Sequence, residues 1–169
     1  PVNDAPVLEA ILNISFSEGE EEMLSIVAND IDGDDLSYSI SAGTDITATL
    51  TGSDVSFSAP TDFNGSEAFT VTVSDGELSD SQTITVIVNA VNDDPVLASI
   101  GDRFFDEDSE LNILLSASDI DGDDLSYSIS AGTDITATLT GSDVSFSAPA
   151  DFNGSEAFTV TVSDSELTD

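Results

Sequence analysis

Apolar and polar residues alternate with a period of two along most of this chain, which is typical of β-strands with one buried face. Seven such segments come before residue 90, and turn signals such as Asn64-Gly65 separate them. Short strands at this spacing, without a helical period, predict an all-β, immunoglobulin-like Greek-key β-sandwich. The predicted strands are A at Val7–Leu12, then B to G with inward residues Leu24, Ile26, Ala28; Leu36, Tyr38, Ile40; Ile46, Ala48, Leu50; Val55, Phe57, Ala59; Phe69, Val71, Val73; and Ile84, Val86, Val88.

The pattern then repeats 89 positions further on (119 minus 30), where Asp119–Asp164 matches Asp30–Asp75 with one substitution, Thr61 to Ala150. An acidic joint that ends in proline, Ala90–Val96, recurs at the start of the chain as Pro1–Val7. Such self-similarity predicts two tandem domains, at residues 1–93 and 94–169.

The second copy ends at Asp169, the counterpart of Asp80, so the residues matching Ser81–Val91 do not appear. We therefore expect seven strands in the first sandwich and the last strand missing from the second. The open edge predicts a second domain that is less stable or that a neighbouring chain completes.

Charge is the strongest compositional signal, because 35 Asp and Glu stand against one base, Arg103, for a net charge of −34. This surface repels nucleic acid and anionic membranes and also repels itself, so compactness requires bound cations. With no cysteine, disulfides cannot stabilise the domains. No apolar run approaches the ~18 residues of a membrane span.

Strand direction predicts where the acids gather. Successive strands run up and down, so the A–B and E–F connections of one domain and the B–C and F–G connections of the next converge on the joint. Ca²⁺ takes ~6–8 oxygen ligands from flexible carboxylates and carbonyls, whereas zinc prefers His and Cys. The predicted interdomain calcium ligands are Glu18, Asp62, Asn92, Asp93, Asp119, Asp121 and Asp164; a half-site at the first domain has Asn3, Asp4, Asp30, Asp32 and Asp75, and another at the second domain has Glu107 and Asp151.

These motifs resemble those of bacterial cadherin-like repeats. Val91-Asn92-Asp93 resembles the cadherin linker, Asp30-Ile31-Asp32 and Asp119-Ile120-Asp121 the Asp-x-Asp motif, Glu18 and Glu107 the A–B glutamate, and Asp75 and Asp164 the aspartate after strand F. The family's Leu-Asp-Arg-Glu motif is absent, and Pro60-Thr61-Asp62-Phe63-Asn64 occupies its place. The resemblance implies extender repeats of a bacterial surface or secreted adhesin, held rigid by calcium and serving cell adhesion outside the cell.

Other interpretations of the acids are weaker or stay open. An EF-hand is excluded because Gly33 comes at the fourth position of the loop and Ser41 stands where a bidentate glutamate is needed. An enzyme is not expected, since no His, Cys or Lys is present to tune an acid or a nucleophile. A recognition module that binds a polysaccharide or associates with itself is the alternative, although no Trp is present to stack on a sugar. Adaptation to high salt also remains open.

Overall fold

The structure, a computed structural model, describes residues 2–169. It divides into two compact units, with unit 1 ending at Val91 and unit 2 running from Asn92 to Asp169. The boundary predicted from the sequence falls after Asp93. The structure places Asn92 and Asp93 in unit 2 because both residues hydrogen-bond to aspartates of that unit.

Unit 1 is built from β-strands alone. Its strands are β1 (Val7–Leu8), β2 (Ile14–Ser17), β3 (Glu21–Ser25), β4 (Ala28–Asn29), β5 (Ser37–Ile40), β6 (Thr47–Thr51), β7 (Asp54–Ser58), β8 (Gly65–Ser74) and β9 (Ser79–Asn89). They form a four-stranded sheet in the order β2-β9-β8-β5, a three-stranded sheet in the order β3-β7-β6 and a small β1-β4 pair. This arrangement confirms the predicted all-β sandwich.

The first strand differs from its prediction, because a single strand A over Val7–Leu12 is wrong. The chain pairs with β4 only at Val7–Leu8, crosses to the other sheet and pairs in parallel with β9 at Ile14–Ser17. Side chains of β9 and the crossing hold it in place: the Ile11 amide donates to Gln82, and the Thr85 amide donates to Asn13. Two half-strands on different sheets do not produce one continuous alternation in the sequence.

The core of unit 1 lies between its two larger sheets. Val55, Phe57, Phe69 and Val71 are fully buried, and the Phe57 and Phe69 rings meet edge to face with centroids 5.3 Å apart. Such aromatic pairs are favoured beyond their buried area. The prediction that strands E, F and G turn these apolar residues inward is confirmed.

Unit 2 repeats the architecture with fewer pairings. Its strands are β10 (Val96–Leu97), β11 (Glu110–Leu114), β12 (Ala117–Ser118), β13 (Ser126–Ile129), β14 (Thr136–Thr140), β15 (Asp143–Ser147) and β16 (Val160–Ser163). They pair as β10-β12, β11-β15-β14 and β13-β16. No helix long and apolar enough to span a membrane occurs within residues 2–169.

One segment that is identical in the two units forms strand to different extents in them. Gly65–Ser74 is a single strand in unit 1, where it pairs along its length with β9. The same ten residues at Gly154–Ser163 form a strand only over Val160–Ser163. Phe158, the counterpart of the buried Phe69, is consequently only partly buried.

The Glu67 side chain holds the loop before β6 in place. The Glu67 carboxylate accepts hydrogen bonds from the backbone N–H groups of Thr44, Asp45 and Ile46, at 2.8 to 3.3 Å. The bond from the Asp45 amide is the largest cause that lowers the Glu67 pKa below its ordinary value of 4.5, and desolvation opposes it. Only glycine fits at position 43 of this loop, since a Cβ there would lie 2.0 Å from the Ile46 carbonyl oxygen.

Replacing Glu67 by Gln is expected to lower the thermal midpoint of unit 1 at neutral pH, because an amide NH₂ would face N–H donors. A folded pKa that is lowered adds stability above the unfolded pKa and loses it as pH falls through the folded value. The difference between Glu67→Gln and the parent chain should therefore shrink as pH falls below about 4. Thermal melts from neutral to acidic pH would measure it, with the exposed Glu77→Gln as the charge-matched control. A difference that stays constant with pH would contradict this assignment.

Candidate metal site

The loop that follows β12 in unit 2 folds around one carboxylate. Asp119 Oδ1 accepts hydrogen bonds from the backbone N–H groups of Asp121, Gly122 and Asp123, at 2.9, 3.0 and 3.3 Å. Side chains of aspartate commonly close turns by bonding backbone amides further along the chain. Gly122 lies in the left-handed region with a φ of 81°, where glycine has no steric penalty. The loop thus holds Asp119 in one orientation.

The other oxygen of the same carboxylate has no partner. Asp119 Oδ2 is buried and makes no hydrogen bond within the described chain. A buried acceptor without a partner costs free energy that a bound donor or cation would recover.

Two more carboxylates lie beside it. Oxygens of Asp119, Asp121 and Asp123 all fall within 4.8 Å of one another. The pKa of Asp123 is raised above its ordinary value, first by desolvation and then by the negative charges of Asp119, Asp121 and neighbouring acids. A cation between these groups would relieve that repulsion.

The first residues of unit 2 are bonded to this loop and to the turn after β16. The Asn92 side-chain amide donates to Asp164 Oδ2 at 2.8 Å, and the Asp93 backbone N–H donates to Asp121 Oδ2 at 2.9 Å. Asp164 is 7% exposed, and its pKa is lowered first by the backbone N–H of Leu167, then by Asn92 and Glu166. Asp164 is therefore a buried, ionised carboxylate at the edge of the cluster.

Unit 1 has the same constellation in the same geometry. Asp30 Oδ1 accepts the amides of residues 32–34, and its Oδ2 is buried without a partner. Asp30, Asp32 and Asp34 place their oxygens within 4.8 Å of one another. Asn3 donates to Asp75, and the Asp4 amide donates to Asp32. Two copies of one arrangement indicate that the loop sequence itself determines it.

A second kind of acidic position lies at the turn between β2 and β3. Glu18 Oε1 accepts a hydrogen bond from the backbone N–H of Val91, the last residue of unit 1. Glu18 Oε2 is buried and has no hydrogen-bond partner in the described chain. Glu18 therefore presents one free carboxylate oxygen next to the segment that leaves the unit.

Three of the predicted calcium ligands belong to neither of the acidic clusters described above. Asp62 and Asp151 are exposed at φ of 61° in the loop before β8 and in its counterpart, and Glu107 is exposed in the segment before β11. None of the three carboxylates hydrogen-bonds within residues 2–169. Phe63, next to Asp62, packs on the core, and its ring lies 3.1 Å from the Cβ position of Gly65.

Two members of the clusters are absent from the predicted ligands, namely Asp34 and Asp123. Their signal is present in the sequence, since each stands two residues after an aspartate of an Asp-x-Asp pair. The turn around Asp30 or Asp119 returns this third carboxylate toward the first. Spacing alone did not distinguish it from Asp35 or Asp124, which follow directly.

The donor set determines what could bind. All candidate ligands are carboxylate or amide oxygens, which hard cations prefer, and Ca²⁺ tolerates an irregular and flexible shell better than Mg²⁺ does. The residues therefore fit calcium, with Asp119, Asp121 and Asp123 as its holders in unit 2 and Asp30, Asp32 and Asp34 in unit 1.

Tandem immunoglobulin-like sandwiches, each carrying an acidic loop at the end where the chain enters, define the class of this protein. The family model described as the bacterial Ig domain matches residues 3–87 and again residues 92–169. The chain belongs to this family.

Individual proteins resemble the chain over most of its length. Chitinase A of Pseudoalteromonas piscicida is 34% identical over 138 residues, which are 79% of this chain and 17% of the chitinase. The chain thus spans only a small part of that relative. Human protocadherin-24 EC1-2 superposes with a TM-score of 0.59 at 21% identity, covering 95% of this chain and 86% of that one. Another crystal structure of the same two domains gives a TM-score of 0.56 at 19% identity. The cadherin likeness inferred from the sequence is confirmed for the fold.

Proposed function

We propose that this tandem pair is a calcium-binding spacer from a secreted or surface-exposed bacterial protein, without catalytic activity of its own. Its role is to extend the parent chain and to stiffen it when Ca²⁺ binds. The observation that supports this most is the buried, unpartnered carboxylate oxygen that recurs at Asp30 and Asp119. Burying an ionised oxygen with no partner is unfavourable, and a divalent cation removes that cost.

Ca²⁺ binding would stiffen the tandem pair by restricting the backbone where unit 1 joins unit 2. Val91 is bonded to Glu18 of unit 1, and the next residue, Asn92, is bonded to Asp164 of unit 2. The last residue of unit 1 and the first residue of unit 2 are thus both held by hydrogen bonds, with no residue between them. Ca²⁺ held by Glu18 in unit 1, or by the Asp119 loop in unit 2, would restrict the backbone dihedrals of the residue anchored there. Extracellular calcium, at millimolar concentration, suits weak sites of this kind.

Calorimetric titration of the whole chain with Ca²⁺ tests the proposal. We expect binding to both acidic loops, with weaker binding of Mg²⁺ and no comparable effect of Na⁺ or K⁺ at matched ionic strength. Small-angle scattering should show a narrower range of conformations with Ca²⁺ than with chelator. Equal stabilisation by monovalent salt would instead favour adaptation to salinity, and an unchanged scattering profile would refute the stiffening.

The parent protein could be an adhesin, in which the spacer serves cell adhesion, or a polysaccharide-degrading enzyme. The relative named Chitinase A favours the second setting. It also keeps direct polysaccharide binding as a second candidate function. A glycan array and pull-down with insoluble chitin, each with and without Ca²⁺, separates a binder from a spacer.

A further inference from the structure

The stretch of chain that contains two edge strands of unit 1 is poor in acids. The segment Leu36–Ser53, which contains β5 and β6, has a single acid, Asp45, in a chain where 35 of 169 residues are acidic, and the Glu67 carboxylate is bonded to the amides just before β6. The opposite edge strand of the three-stranded sheet, β3, instead carries Glu21 and Glu22. Charged side chains on an edge strand block its pairing with other chains, and their absence leaves the edge available.

β6 and its counterpart β14 are such open edges. Each pairs with one strand only, β6 with β7 and β14 with β15. Every second residue of an edge strand directs its backbone N–H and C=O away from the sheet. The strand is fixed at its start, because the amide of Ile46 donates to the Glu67 carboxylate. A rigid, uncharged strand with free backbone groups is a template for a further strand.

The sequence of β6, Thr-Ala-Thr-Leu-Thr, is complementary to itself in the antiparallel direction. A two-fold axis normal to the sheet requires one residue to face its own copy, and Thr49 at the centre satisfies this condition. Thr47 then lies opposite Thr51 of the second copy, and Ala48 opposite Leu50 of the second copy. The exposed threonines share one face, and the partly buried Ala48 and Leu50 share the other.

We infer that β6 is a self-association surface, which pairs with β6 or the identical β14 of a second copy of this chain. Two three-stranded sheets then form one continuous six-stranded sheet through an isologous contact. The five residues of β6 include no acid, so no acid faces an acid within this pairing. The inference does not depend on calcium binding.

Disulfide trapping tests the register directly, because the chain contains no cysteine and an introduced one can bond only to another molecule. In a Thr49→Cys chain, the two Cα atoms facing each other would be ~4.5–5.5 Å apart, within the range for a disulfide. In a Thr51→Cys chain the two sulfurs would be separated by four residues, ~13 Å, and could not bond. Thr51→Cys is therefore a matched control on the same exposed face.

The experiment uses the full chain with chelator and about 1 M NaCl, where the screening length falls to ~3 Å and the repulsion between copies is suppressed. We expect at least about tenfold more oxidised dimer from Thr49→Cys than from Thr51→Cys, since only the first geometry permits the bond. A mixture of Thr47→Cys and Thr51→Cys chains should recover the dimer. Equal yields for all variants, or no dimer for any, would overturn the inference.

Sedimentation of variants without cysteine gives an independent readout. Thr49→Glu with Thr138→Glu places like charges opposite each other at both centres and should abolish the dimer. Thr70→Glu with Thr159→Glu adds the same charge outside the edge strands and should leave the dimer unchanged. Dimerisation that survives the first pair, or is lost equally in both, would overturn the inference. Calcium titration of the same variants shows separately whether the proposed function holds.

Discussion

Replacing Asp119 by Asn is expected to remove the proposed Ca²⁺ binding by the acidic loop of unit 2 while the unit stays folded. Asparagine keeps the Oδ1 acceptor, so the three turn bonds from residues 121–123 persist. The substitution removes the charge and turns the buried, unpartnered Oδ2 into an NH₂ group, which repels a cation. The substitution thereby separates the structural role of this carboxylate from its proposed role in metal binding.

Calorimetry on the full chain measures the outcome as the loss of one class of site, with the Asp30 loop retaining its binding. We expect the affinity of the altered loop to fall by roughly tenfold or more, equivalent to at least about 1.4 kcal/mol. The control is Asp134→Asn, which removes the same charge from an exposed position of the same unit. If both variants lower binding equally, diffuse attraction by the net charge explains it and the loop is not a site.

The missed third aspartate shows where sequence reasoning about this site stops. The Asp-x-Asp pairs, the asparagine of the joint and the aspartate after β16 all belong to hydrogen-bonded clusters in the structure. Each was predicted because it falls at a strand end that a sandwich brings to the joint. Asp123 was missed because its position depends on a turn around Asp119 that no pattern of apolar residues encodes. Glu18 was predicted as a ligand, but its contact with the Val91 amide was not, since that contact depends on where β9 ends in space.

The alternation of apolar and polar residues predicted most of the strands. Where it failed, the cause was the choice of the neighbouring strand. Residues of strands E, F and G face the core as their pattern predicts. The first strand was wrong because its two pieces join different sheets, and the choice between β4 and β9 as partner depends on contacts distant in sequence. An alternation with a period of two identifies a strand but does not determine which other strand it pairs with.

The identical segments Gly65–Ser74 and Gly154–Ser163 allow a direct test of that neighbour effect. Extending the chain beyond Asp169 with the sequence Ser81–Val91 supplies unit 2 with a counterpart of β9. We expect residues 154–159 to become strand and unit 2 to melt at a higher temperature. The inward residues of the copied sequence, Ile84, Val86 and Val88, are at most 2% exposed in unit 1. Burying each such side chain contributes about 1.5–3 kcal/mol, before the loss of conformational entropy is subtracted.

Hydrogen exchange measured by NMR gives the decisive readout for this extension, because the amide of Phe158 faces the position of the added strand and should gain strong protection only when it pairs there. The neighbouring Thr159 amide already donates to the Ser130 hydroxyl oxygen and serves as an internal reference. The matched control is the same extension with serine at the three inward positions, which keeps the length and the backbone donors but removes the apolar face. That control should leave both exchange and melting close to those of the parent chain, since backbone pairing alone contributes little net stability in water. If the serine version protects the Phe158 amide equally well, hydrogen-bond pairing rather than burial decides whether this sequence becomes a strand. If neither version protects it, the difference between the two copies arises from something other than the strand partner.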